Sequence, residues 1–259
     1  FLDGGGRQAS CGPYRLWTDV ADEELLALCA RLAAPLDITY QYLFGVRPQG
    51  EPEEGVLLFR QTEAFRAFAR ERGRLRVGYA GFSDSSKGFM ALHAEGVERR
   101  RLAQTLAHEL THLVSRRALG PGLPPWLSEG MADAIGDPAG TDGLGTLVGI
   151  RGVEGPALRL RSAYASGRAG GLERLVSLER SQFDGGIASY DYEQSALFVR
   201  YLLLSPELAP GFRHFLAELE GGERYSPELL SKSLGRSWSR LETGLRDWLV
   251  LELAGAKEP

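Results

Sequence analysis

The segment that most narrows what this chain can become is His108-Glu109-Leu110-Thr111-His112. Two histidines four residues apart share a face when the backbone is helical, with Cβ atoms about 5–6 Å apart. The flanks supply that helix. Leu102, Leu106, Leu110, Leu113 and Val114 form an apolar stripe, and no proline interrupts the stretch from Val97 to Leu119. On such a helix both imidazoles can converge on one zinc ion at ~2.0–2.1 Å. Glu109 stands one residue round, beside such a metal rather than on it, where a carboxylate can take a proton from water.

A second segment strengthens the first. Pro124-Pro125-Trp126-Leu127-Ser128-Glu129-Gly130-Met131-Ala132-Asp133 follows a Gly/Pro turn from Gly120 to Pro125. The turn lets the chain double back, so a short helix over 125–135 faces the first. Glu129 then offers a third ligand. Two histidines, one glutamate and water form the open coordination of a catalytic zinc site, not the closed shell of a structural one. Asp133 lies one helical turn after Glu129 and is placed to accept the second N–H of a ligating histidine, expected to be His108. The plainer readings are a helix-start carboxylate for Glu129 and a solvated helix face for Asp133. The expectation is one Zn2+ per chain, with Glu109 as general base.

Around this pair the pattern is mixed in the first half and helical in the second. Residues 1–12 hold little to bury and read as a flexible tail. Strands are expected at Tyr14–Thr18, Gly55–Phe59, Arg76–Phe82 and Gly88–His93, the last two joined by a polar turn. Helices are expected from about Ala21 to Ala34 with Asp19 as cap, at Ile38–Phe44 and at Thr62–Arg72. After the two motif helices, residues 136–156 read as a long loop that can serve as a flap. Helices follow at about 157–167, 171–180, 192–204, 206–220, 226–234 and 238–254. Ser205-Pro206 and Ser226-Pro227 read as cap and first-turn proline. The fold class is α+β: an N-terminal α/β part over 13–95 and a helical part over 96–255, together one catalytic domain.

The two segments resemble the gluzincin metallopeptidases, the thermolysin-like clan, and P-W-L-S-E-G-M-A-D is most similar to bacterial peptidase-MA-like proteins. The stretch Tyr192–Leu202 resembles the helix after the site in that group. The resemblance implies a zincin-like fold, with a small mixed sheet over the motif helix and a mostly helical C-terminal lobe. It implies peptide or protein as substrate, and an edge strand within Gly88–His93 that pairs with an extended peptide. It also implies a donor for the oxyanion, for which Tyr192 is the first candidate and Tyr190 the second. One departure is the interval between His112 and Glu129, sixteen residues, slightly fewer than in the clan's type member.

The remaining side chains suggest less. His93 reads as a surface histidine or a cleft-lining one, and His214 as a helix flank. Trp126 is expected to pack beneath the second helix. Asp137, Asp142 and Glu154 lack EF-hand spacing for calcium. A net charge of -4 is not the basic footprint of a nucleic-acid binder, and Arg70, Arg72, Arg74, Arg76 and Arg99 to Arg101 read as solvated faces. No apolar run approaches the ~20 residues of a membrane span. Cys11 and Cys29 either pair as one disulfide or stay apart. That possibility and the opening Phe1 lean towards an exported, extracytoplasmic protein, and oligomeric state is unknown. Two competing functions remain: a zinc-holding but inactive binding module, and a zinc hydrolase of non-peptide substrates.

Overall fold

A computed structural model describes residues 6–50, 55–74, 80–136, 154–185 and 189–255. In chain order the elements are β1 (Arg7–Cys11), β2 (Tyr14–Thr18), α1 (Glu23–Ala33), α2 (Leu36–Phe44), β3 (Gly55–Phe59), α3 (Thr62–Glu71), β4 (Gly81–Asp84) and β5 (Phe89–His93). Then come α4 (Arg99–Leu119), α5 (Pro125–Gly136), α6 (Glu154–Ala165), α7 (Leu172–Ser177), α8 (Arg180–Gly185), α9 (Ser189–Leu204), α10 (Ala209–Glu220), α11 (Pro227–Leu234) and α12 (Trp238–Gly255). The architecture is mixed α+β, as expected.

The five strands form one sheet in the order β1-β2-β3-β5-β4. β2, β3 and β5 run parallel, and β1 and β4 flank them antiparallel. Strand side chains alternate between faces, and here the alternation separates two cores. Val56, Leu58, Met90 and Leu92 join the main core with α1, α2 and α4. Leu57, Phe59, Phe89 and Ala91 instead meet Phe65 and Phe68 of α3 in a small aromatic core. The sheet therefore lies between α3 and the motif helix. Gly81 brings β4 close to that helix, since a Cβ there would lie 2.8 Å from Thr105 Cγ2. The main core continues through α5 and α9 to Leu253 of α12.

Several expectations are corrected. Residues 7–11 are not a tail but strand β1, paired Cys11↔Tyr14 across a tight turn at Gly12-Pro13. Its side chains are mostly exposed, so backbone pairing rather than an apolar pattern makes it a strand. Asp22, not Asp19, caps α1 by accepting from the Leu25 N–H at 3.0 Å. Asp19 accepts instead from the backbone of Arg60. Ser205-Pro206 does not start α10, which begins at Ala209 with Pro210 in its first turn. Ser226 does cap α11. β5 is an interior strand; the outermost strand on its side of the sheet is β4. Helix α8 lies where no separate helix is expected. Cys11 and Cys29 are both buried free thiols, so the possible disulfide is not formed. Burial pushes Cys11 far above a thiol's ordinary pKa, with Cys29 adding to it, and pushes Cys29 up to about 11. Residues 76–79 of the expected third strand, and 137–153 of the expected loop with Asp137 and Asp142, lie outside the described residues. Among the described residues no helix is long and apolar enough to cross a membrane.

Candidate metal centre

Helix α4 carries the two histidines, and α5 folds back against it. The start of α5 is fixed by Trp126, fully buried, whose Nε1–H donates to Tyr225 Oη at 2.9 Å. The Tyr225 hydroxyl in turn donates to the carbonyl of Val176. One helical turn on, Gly130 lets α9 approach closely: a Cβ there would stand 2.5 Å from Val199 Cγ2 and 2.6 Å from the Ser195 carbonyl oxygen. Glu129, its neighbour, is thereby aimed at α4 with only 7% of its surface exposed.

His108 Nε2 and His112 Nε2 lie 3.3 Å apart. Glu129 Oε2 is 3.4 Å from the first and 3.6 Å from the second. Among the described residues these three side chains form a group that could hold a metal ion. The spacing fits one. Donors at the corners of a tetrahedron, each ~2.0–2.2 Å from a central zinc, are about 3.3–3.6 Å from one another. The far side of each histidine is also occupied. Asp133 Oδ1 lies 2.8 Å from His108 Nδ1, the partnership expected from sequence. Ser128 Oγ lies 2.9 Å from His112 Nδ1. With Nδ1 of His108 directed at Asp133, Nε2 is the ring nitrogen that faces the Glu129 carboxylate, on the side where the three donors converge.

No protein-family model matches this chain, and no curated protein matches it significantly. The site's chemistry rests on its own geometry.

The electrostatics are uneven. Burial works against a charged His108, but the Asp133 carboxylate, with Glu129 and Glu109 nearby, outweighs it and raises the His108 pKa. Burial also dominates at His112, where His108 and Arg180 add to it and the pKa falls below its ordinary value. At Glu129 burial favours the neutral acid, yet His112, His108 and Arg180 together hold the carboxyl well below the usual range.

The group opens into a cleft of about 490 Å³. Its walls include Gly81 to Ser86 of β4 and the following turn, Glu109, Arg116, Gly120 to Leu123, Arg180 and Tyr192. Glu109 is buried but reaches this space. Tyr192 lines the cleft and packs on Phe183, ring centroids 4.7 Å apart. Tyr190 is not among the cleft walls; its ring lies under the Arg168 guanidinium at 5.7 Å. His93 is neither on the surface nor in the cleft. It is buried on the α3 side of the sheet, with Nδ1 3.1 Å from Thr62 Oγ1 and its ring 5.1 Å from that of Phe65. His214 is on α10, 3.6 Å from Glu218.

Three cleft residues escape the sequence reading. Arg116 had a signal, since it repeats the spacing of His108 and His112 one turn further along α4. Ser128 had none beyond its place before Glu129. Arg180, whose Nη1 donates to Glu129 Oε1 at 2.6 Å, comes 51 residues after its partner with no motif around it.

Proposed function

We propose that this protein is a zinc-dependent metallopeptidase of gluzincin type, with a zincin-like arrangement of sheet, motif helix and helical lobe. The observation that carries the reading is a His-His-Glu donor set in one cleft with a further carboxylate, Glu109, that belongs to no ligand position. Imidazole and carboxylate donors suit zinc. Held by His108, His112 and Glu129, one zinc per chain would supply a Lewis acid that acidifies water and polarises a carbonyl.

The side chains do the rest. Glu109 takes the proton of the attacking water as its oxygen adds to the peptide carbonyl carbon. When the C–N bond breaks, Glu109 returns that proton to the leaving amine nitrogen. Tyr192 donates to the oxygen that gains negative charge. The outer edge of β4, which pairs with no further strand among the described residues, offers backbone groups to an extended peptide. This replaces the β5 edge expected from the resemblance. A zinc-holding but inactive binding module would have no use for Glu109 in that position.

Elemental analysis of the purified protein tests the metal first. The wild type is expected to carry one zinc per chain, and Glu129→Ala to lose it or bind it far more weakly. Glu109→Gln is expected to keep zinc and lose at least about 100-fold in peptide hydrolysis. Wild-type turnover in Glu109→Gln would overturn the mechanism, and a wild type that takes up no zinc would overturn the whole reading.

A further inference from the structure

Glu129 has two chemically equivalent oxygens, and both can accept. A carboxylate facing a metal with both oxygens free can bind through either one or two of them. Two would occupy the position that water needs in an open site. In this protein the oxygens are not equivalent. Oε2 faces the two imidazoles at 3.4 and 3.6 Å. Oε1 is taken by the guanidinium of Arg180 at 2.6 Å, a short charge-assisted hydrogen bond.

Arg180 is itself held. It is the first residue of α8, and the opening turn of that helix is closed by the Phe183 N–H donating to the Glu179 carbonyl at 2.9 Å. The Gln182 side chain accepts from the Glu179 N–H at 3.0 Å. Phe183 is fully buried, packs on Tyr192, and lies with its ring centroid 6.0 Å from the Arg180 Cζ. The guanidinium thus reaches Glu129 from a short helix anchored in the core, on the side of the carboxylate away from the histidines.

We propose that Arg180 is a positioning residue for Glu129. Its guanidinium claims Oε1, so the carboxylate engages a metal through Oε2 alone and one coordination position stays open. This rests on the reading of His108, His112 and Glu129 as a metal centre. Arg180 acts through Glu129 rather than on the reacting atoms.

The test is made on the full chain, without turnover. Zinc affinity is measured by competition with a chromophoric chelator, and the visible spectrum is recorded after loading with cobalt(II). Arg180→Ala is expected to weaken zinc about 10- to 100-fold, as loss of a partner behind a ligand does. Its cobalt band is expected to lose intensity as Glu129 swings to bind through both oxygens and the coordination number rises. Arg180→Lys keeps the charge and a donor but not the planar fork, and is expected to recover part of both. Arg180 is half-exposed, and circular dichroism checks that each variant is folded. A folded Arg180→Ala with the wild-type zinc affinity and the wild-type cobalt spectrum would overturn the proposal while leaving the metal centre intact. A wild type that binds neither metal would overturn both.

Discussion

Asp133 and Ser128 stand behind the two histidines in the same way but do not contribute equally. Asp133 is a carboxylate 2.8 Å from His108 Nδ1, while Ser128 offers a neutral hydroxyl at 2.9 Å from His112 Nδ1. The carboxylate fixes the tautomer and also makes the imidazole more basic, hence a stronger ligand. Asp133→Asn is therefore expected to weaken zinc by about 10- to 100-fold, and Ser128→Ala by less, as read by chelator competition. Asp133→Asn is also expected to lower the pKa of metal-free His108, because the largest effect opposing burial there is that of Asp133. An NMR titration of the metal-free protein checks this. At this scale the sequence is informative wherever one helical period links two residues. His108 to His112 and Glu129 to Asp133 are both four apart, so their shared faces follow from geometry alone. Arg180 is invisible for the converse reason: its link to Glu129 depends on where α8 packs, and no local spacing encodes that.

The elements themselves make two further predictions. Gly130 is where α5 and α9 come closest, and a Cβ there would press on Val199 and on the Ser195 carbonyl. Backbone cannot yield as a flexible side chain does. Gly130→Ala is expected to cost about 1–3 kcal/mol, seen as a Tm drop of about 2–4 °C for each kcal/mol. It should also weaken zinc by displacing Glu129. The second concerns α3 and β5. His93 is buried between them, and burial, its largest influence, with Arg66 assisting, holds its pKa below the ordinary value of 6.5. Glu95 and its backbone pull the other way without prevailing. Just below pH 6.5 the unfolded chain then binds more protons than the folded one, so stability falls as the solution is acidified through that range. His93→Gln removes this contribution. Urea titrations at pH 5.5 and 7.5 on metal-free protein are expected to show a smaller loss in the variant. The alternation in Gly55–Phe59 and the amphipathic period of Thr62–Glu71 make those elements readable in advance. The edge position of β4 is not readable, because strand order is set by the α3 crossover and the hairpin, not by any one strand's composition.

At the scale of the whole molecule, the site ties a helix that lies under the sheet to one packed against the C-terminal lobe. A metal that binds the folded form alone adds stability by mass action, about 2.7 kcal/mol at a hundredfold excess over Kd. Saturating zinc is expected to raise the wild-type Tm by about 5–10 °C, with chelator reversing the gain and Glu129→Ala showing almost none. The α+β class and the helical second half follow from periodicity. The strand character of Arg7–Cys11 does not, since its ladder to β2 is made by backbone atoms and its side chains give little sign. That strand ends in Cys11, fully buried, and its companion Cys29 sits on α1. Two thiols sealed on different elements make a built-in chemical clock. A maleimide can reach Cys29 only when α1 leaves the core, and can reach Cys11 when β1 alone peels from the sheet margin. The ratio of the two labelling rates therefore separates fraying of one strand from opening of the whole protein, with no probe added to the chain.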